Sequence, residues 1–121
     1  ILEAPTFNFI ESVEVNGQAR FPWLPESLFD YYTWLAEVRF GIDFDSMDYR
    51  EAVIDSTVPM LLFHGDDDEW IPVSLSDFIA SKRDKNLTYM RYENVGHVQA
   101  WNADPELYIK TVSNFLTSLE K

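Results

Sequence analysis

The pattern of hydrophobic and polar positions changes near residue 57. Residues 58–63, VPMLLF, form a continuous apolar run of strand length, which is typical of a strand covered on both faces in a parallel sheet. The segment VSLSDFIASKR follows, where Ser74 and Asp77 resemble a capping box and predict a helix. Residues 87–92, LTYMRY, predict a second strand. This order of elements indicates an α/β fold with parallel strands.

An amphipathic stretch ends the chain. Asp104 and Pro105 suit the N-cap and the first turn of a helix. Apolar residues recur after them at helical spacing and predict one buried face, which contains Tyr108, Val112, Phe115, Leu116 and Leu119. Residues 58–121 are therefore predicted to form a strand–helix–strand–helix unit.

Residues 1–57 have a different pattern, in which short aromatic segments are broken by prolines and glycines. In PESLFDYYTWLAEVRFG, Ser27 is a candidate N-cap and Gly41 a helix stop. The predicted apolar face of this helix contains Leu28, Tyr32, Leu35 and Ala36. The segment DSMDYREAV predicts a shorter helix. We expect this part to be the end of a strand followed by an excursion of short helices.

Composition narrows the possible partners. The 121 residues are 46% hydrophobic, which is enough for a folded core, and their formal net charge is −12. Because such a charge repels phosphate groups, nucleic acid is disfavoured as a partner. The absence of cysteine excludes disulfides, thiolate catalysis and cysteine-based zinc sites. The composition leaves both a cytoplasmic and an exported location open.

Candidate chemistry lies at the predicted carboxyl ends of the two strands. The acidic residues 66–69 follow the first strand, and Gly96 with His97 follows the second. Parallel strands bring such ends to one edge of the sheet, so the two loops are expected to meet. A carboxylate such as Asp68 can fix the tautomer of His97, and the other ring nitrogen can then accept a proton from a nucleophile. Gly96 is expected to let the backbone turn sharply before the histidine.

These two loops carry a family resemblance. HGDDDEWIP is similar to the His-Gly-x-x-Asp-x-x-(Val/Ile)-Pro stretch of α/β-hydrolases, and GHVQAWNADPELY resembles the histidine loop of bacterial serine esterases and related peptidases. The resemblance implies that Asp68 is the triad acid and His97 the general base. It also implies that ILEAP is a strand preceding a variable cap, and that the substrate is a small ester or related acyl compound, with no cofactor.

One part of the family pattern is missing. The four glycines, at positions 17, 41, 65 and 96, do not frame a serine as in the Gly-x-Ser-x-Gly nucleophile elbow. ILEAP also begins without methionine, inside an apolar stretch. We therefore interpret the chain as the C-terminal half of a hydrolase, with the missing N-terminal half as its partner. Alone it is expected to be inactive and to associate with itself through uncovered strand edges.

Other residues near the loops have competing interpretations. Trp70 and Trp101 flank the two loops and are the preferred substrate-binding candidates. The cap aromatics Trp23, Trp34 and Phe40 are weaker candidates for an acyl pocket. A structural role is preferred for His64 and a turn-capping or solvated role for Asp66 and Asp67, with Asp67 as the second choice for the acid. Ser74 and Ser76 lack an elbow and are disfavoured as nucleophiles.

Two other classes of function stay open. The acidic residues 66–69, or Asp43, Asp45 and Asp48, could offer oxygen ligands to calcium, although neither stretch has the spacing of an EF-hand loop. A hydrolase-like domain without catalysis, used for interaction, is the second alternative.

Overall fold

A parallel sheet forms the centre of the protein in a computed structural model, which describes residues 1–83 and 85–120. Within these residues the sheet has three strands in the order β1 (Leu2–Glu3), β2 (Met60–Gly65) and β3 (Leu87–Tyr92). The register pairs Leu2 with Leu62 and Gly65 with Tyr92. The predicted α/β class with parallel strands is thus confirmed, and β2 is the central strand.

Helices of very different lengths surround the sheet. Along the chain they are α1 (Phe9–Arg20), α2 (Glu26–Phe40), a 3-10 turn (Asp45–Met47), α3 (Arg50–Asp55), α4 (Val73–Lys82), α5 (Ala100–Ala103) and α6 (Pro105–Leu119). None of the described helices is long and apolar enough to cross a membrane.

Alternation along β2 divides the core into two layers. Leu61 and Phe63 face one side, where they pack with Tyr92 and with Phe115 of α6. Leu62 faces the other side and packs with residues of α4, Leu75 and Ile79, and with Phe7 before α1. Leu61 to Gly65 are all buried, as expected for a parallel strand covered on both faces.

The predicted first strand is shifted by two residues. Val58 is 67% exposed, and Pro59 has no N–H to donate to the ladder, so pairing starts where the Met60 N–H binds the Asn86 carbonyl at 2.7 Å. At the other end, His64 and Gly65 continue the strand. The strand predicted at residues 87–92 is confirmed.

Helix ends were predicted with mixed success. Asp104 caps α6 by accepting a 2.9 Å hydrogen bond from the Leu107 N–H, and Gly41 ends α2 in the left-handed conformation, so both predictions are confirmed. The caps predicted at Ser27 and Ser74 are wrong, because α2 and α4 begin earlier, behind Pro25 and Pro72. Proline has a preset φ and needs no N–H partner, and it therefore starts these helices without a capping side chain.

The predicted apolar faces are only partly buried. On α6, Tyr108, Val112 and Phe115 reach the core, whereas Leu116 and Leu119 are about half exposed. Helix α2 buries no residue completely, and the predicted face residues Tyr32 and Leu35 are exposed. Its contact with α1 runs instead through Phe29, whose ring fills the space where Gly17 has no side chain. The segment DSMDYREAV contains the 3-10 turn and α3 instead of one helix.

Candidate active site

Two loops meet at the carboxyl end of the sheet. The acid loop, residues 66–72, follows β2, and the histidine loop, residues 93–99, follows β3. Backbone hydrogen bonds of 2.9 Å from Asp66 to Tyr92 and 3.1 Å from Asp67 to Val95 join them. The Asp66 side chain adds a 2.7 Å bond by accepting from the Asn94 N–H. The predicted meeting of the loops is therefore found in the structure.

Asp68 and His97 are directly hydrogen-bonded. The distance from His97 Nδ1 to Asp68 Oδ2 is 2.8 Å, and the Asp68 side chain is fully buried, while that of His97 is 37% exposed. Oδ1 of Asp68 accepts 2.8 Å bonds from the N–H groups of Trp70 and Ile71. Because Nδ1 faces a carboxylate that only accepts, the proton of a neutral His97 ring belongs on Nδ1 and Nε2 keeps its lone pair.

His64 lies beneath this pair and is fully buried. Its Nε2 is 3.0 Å from the Ile71 carbonyl oxygen and 3.3 Å from Asp68 Oδ2, and its Nδ1 is 2.6 Å from Ser76 Oγ. Burial lowers the pKa of His64, although the bond to Ile71 and the charge of Asp68 act in the opposite direction. The contact with the Ile71 carbonyl agrees with the structural role preferred for His64, and contacts to two side chains accompany it.

An apolar cavity of about 500 Å³ opens beside His97. Helix α1 forms one wall with side chains that include Phe9 and Val13, and the acid loop forms another with Trp70 and Ile71. Its volume lies within the range of small-molecule sites. The site can therefore hold an apolar group next to an imidazole that is already paired with a carboxylate.

Helix α1 also contacts the acid loop at Trp70. The side-chain amide of Asn16 donates to the Trp70 carbonyl, and the Arg20 guanidinium lies 4.6 Å from the centroid of the indole ring. Sequence reasoning missed this helix and its contribution to the cavity. A signal was available, since Asn8 stands three residues before Glu11 and accepts a 2.8 Å bond from its N–H as the N-cap of α1.

The two tryptophans predicted to bind substrate lie in different surroundings. Trp70 lines the cavity, but the cavity-lining residues within the described part of the chain do not include Trp101, which packs edge-on against Tyr108 at 5.5 Å. Trp23, Trp34 and Phe40 are 76%, 54% and 70% exposed, so the structure does not support the acyl pocket suggested for them. They lie on α2 or in the loop before it, and they are not among the described residues that line the cavity.

The structure also places Gly96, the two serine candidates and the acidic residues considered as metal ligands. Gly96 does not adopt a positive φ, and the left-handed residues of the histidine loop are Asn94 and Val98. Ser76 is buried against His64, and Ser74 is exposed on α4. Within residues 1–83 and 85–120, no three His, Cys, Asp or Glu side chains are grouped to hold a metal ion.

Comparisons with known proteins agree with this architecture. Three crystal forms of the Pyrococcus furiosus esterase Pf2001, with space groups P21, C2221 and P212121, match at TM-scores of 0.61, 0.60 and 0.56, each at 18% identity. The matches cover 96%, 92% and 94% of this chain, and 42%, 41% and 42% of the esterase chains.

The chain therefore has an esterase-like α/β fold and spans less than half of the length of those esterases. No family model matches the sequence, and no curated protein matches it significantly.

Proposed function

We propose that this chain supplies the acid, Asp68, and the general base, His97, of a serine hydrolase that acts on small esters or related acyl compounds. The observation that carries the proposal is the 2.8 Å hydrogen bond between His97 Nδ1 and the buried Oδ2 of Asp68. It occurs at the strand ends where an α/β sheet assembles its reactive groups. The esterase-like fold supports the same class of function.

The proposed reaction is a two-step acyl transfer. His97 Nε2 takes the proton of a serine hydroxyl as the serine oxygen bonds to the substrate carbonyl carbon, and Asp68 stabilises the imidazolium that forms. The imidazolium then protonates the leaving alcohol as the ester C–O bond breaks. Water releases the acyl group by the same route, with His97 again as the base. Asp68 stays ionised throughout and keeps the ring in one tautomer.

Apolar substrate groups fit the cavity beside His97. Phe9 and Val13 on α1 and Ile71 on the acid loop give it an apolar lining, and Trp70 adds an aromatic face. Burial of an apolar group there gains roughly 25 cal/mol for each Å² removed from water. We therefore propose an ester with an apolar acyl or alcohol part, and Trp70 as a substrate-binding residue. Trp101 is not retained in this role, because it packs on Tyr108.

The nucleophile has to come from outside these 121 residues, because no serine here lies in a Gly-x-Ser-x-Gly elbow. We propose that an N-terminal half of the same protein supplies it, together with the oxyanion hole. The chain alone is then expected to be slower than the complete enzyme by about 10⁴-fold or more.

The test uses protein from the complete open reading frame that contains this sequence. A fluorophosphonate probe should label one serine, and Asp68→Asn should lower kcat for a small ester by about 10⁴-fold. Asp67→Asn is the matched control, because Asp67 is an exposed neighbour in the same turn and should leave kcat unchanged.

Equal rates for wild type and Asp68→Asn would overturn the role of Asp68. Absence of any labelled serine and of any hydrolysis would favour the non-catalytic interaction domain.

A further inference from the structure

His64 is a buried imidazole that the proposed proton transfers do not use. It stands near the end of the central strand β2, where water does not reach its side chain. Both ring nitrogens nevertheless have partners, namely Ser76 Oγ at 2.6 Å from Nδ1 and the Ile71 carbonyl oxygen at 3.0 Å from Nε2. Asp68 Oδ2 lies 3.3 Å from the same Nε2. A ring with this set of contacts is held in one orientation.

The neighbours of Nε2 determine where the proton of this ring lies. A carbonyl oxygen and a carboxylate oxygen can only accept hydrogen bonds, so Nε2 must carry a hydrogen. The Ser76 hydroxyl can donate to Nδ1, which completes a neutral ring. The Nε2–H of His64 is therefore donated to the Ile71 carbonyl, and Asp68 Oδ2 lies 3.3 Å from the same nitrogen.

Ile71 provides a second connection between His64 and Asp68. Its N–H donates to Asp68 Oδ1 at 2.8 Å, while its carbonyl accepts from His64 at 3.0 Å. His64 thus contacts both the carboxylate and the loop residue that binds the carboxylate. Because His64 belongs to β2 and Ser76 to α4, these contacts attach the acid loop to two regular elements of the fold.

We propose that His64, held by Ser76, is a positioning residue that orients the Asp68 carboxylate for its hydrogen bond with His97. Oδ1 is occupied by two backbone N–H groups, and Oδ2 lies between two imidazoles, which leaves the carboxylate one orientation. The inference deepens the proposed function, because its catalytic meaning rests on the Asp68–His97 pair. The geometry it describes can be measured without any turnover.

The first test is ¹⁵N imidazole NMR of the complete protein, in which replacing His64 and His97 one at a time assigns their rings. In wild type we expect an Nε2–H tautomer for His64 and a slowly exchanging Nδ1–H for His97. His64→Leu removes the donor and should speed exchange of the His97 Nδ1–H by about tenfold or more, as expected for a weakened bond to a charged group. His64→Gln keeps a donor near Nε2 and should restore slow exchange.

If leucine at position 64 prevents folding, Ser76→Ala provides a second variant for the same NMR measurement. It removes one hydroxyl and should give a smaller increase in His97 Nδ1–H exchange. Ser74→Ala is its matched control, because Ser74 is exposed on the same helix and should change nothing. Wild-type exchange in both His64→Leu and Ser76→Ala would overturn the proposal, as would an Nδ1–H tautomer of His64.

Kinetics of the complete protein supply the second test. His64→Leu should lower kcat by about 10²-fold at nearly constant KM, and His64→Gln should recover most of the loss. If exchange at His97 changes while kcat does not, the positioning has no catalytic role and the inference fails. If wild type itself hydrolyses no ester, the proposed function fails, whereas the NMR result still decides whether His64 orients Asp68.

Discussion

Gly65 and Val95 approach so closely that a Cβ atom at position 65 would overlap the carbonyl oxygen of Val95. Gly65 is the last residue of β2, and Val95 lies in the histidine loop just before Gly96 and His97. The same Val95 carbonyl accepts the Asp67 N–H at 3.1 Å. The contact between the acid loop and the histidine loop therefore depends on the missing side chain of Gly65, and the bond between Asp68 and His97 depends on that contact.

Gly65→Ala should accordingly damage both stability and the site. The added methyl group meets backbone atoms that cannot rotate away, so we expect the free energy of unfolding to fall by about 1–3 kcal/mol. The His97 Nδ1–H signal should exchange faster as the loops separate. Urea denaturation and NMR measure the two effects.

Gly96→Ala is the control for this prediction. A Cβ atom at position 96 would lie 3.4 Å from the side-chain oxygen of Gln99, which is ordinary contact, and the backbone there is not left-handed. We expect a loss below about 1 kcal/mol for this change, since it neither overpacks nor strains the backbone. Similar losses in the two variants would show that close packing at Gly65 is not what holds the loops together.

The Asp68–His97 pair could be predicted from the sequence because two regular strands determine where the loops lie. The continuous apolar run before His64 and the segment 87–92 indicate neighbouring parallel strands, whose carboxyl ends must share an edge. The cavity could not be predicted in this way. Phe9 and Val13 reach the site only through the packing of α1, and that contact has no regular spacing in the sequence relative to the acid loop.

A prediction from a local sequence pattern was wrong where long-range contacts determine the structure. The Ser74/Asp77 capping box is absent, because Asp77 instead accepts 2.8 Å bonds from the Tyr89 hydroxyl and from Arg91. Both partners lie on β3, far from residue 77 in sequence.

Val98 holds a strained backbone beside the general base. Its φ is 53°, a left-handed conformation that β-branched residues rarely adopt, and its side chain is 51% exposed. Such a conformation costs on the order of 1–3 kcal/mol. Glycine would remove this cost, but part of the gain would be offset because glycine is more flexible in the unfolded chain. Val98→Gly should therefore raise the free energy of unfolding by about 1 kcal/mol, measured by urea denaturation.

Val58→Gly is the comparison for this prediction. Val58 is also an exposed loop valine, but its φ is not positive, so glycine should lower stability there. Destabilisation by both substitutions would mean that the Val98 backbone is not strained.

The buried His64 should make stability depend on pH near neutrality. Burial lowers its pKa in the folded state, so the unfolded chain binds a proton at this residue more readily. The contribution of His64 to the free energy of unfolding is complete above the unfolded pKa of about 6.5, and it decreases as the pH falls below that value. Unfolding free energies of wild type and His64→Gln, measured between pH 8 and 5, should therefore converge on acidification. Parallel curves would contradict a depressed pKa at His64.

Protonation of Asp48 should lower the free energy of unfolding in a second pH range, at strongly acidic pH. Arg50 binds both oxygens of this carboxylate, and mainly this hydrogen bonding lowers the Asp48 pKa to about 2. Because the folded pKa lies below the unfolded value of about 3.9, the stabilisation is present above pH 4 and disappears as the pH falls towards 2. The pair is one-third exposed, so we expect no more than about 1 kcal/mol.

The comparison for this second pH range is Asp48→Asn. It should be less stable than wild type by that amount at pH 6 and equally stable at pH 2, as judged by urea denaturation. A difference between wild type and Asp48→Asn that persists unchanged at pH 2 would mean that the substitution acts through packing or through the Asn8 contact rather than through charge.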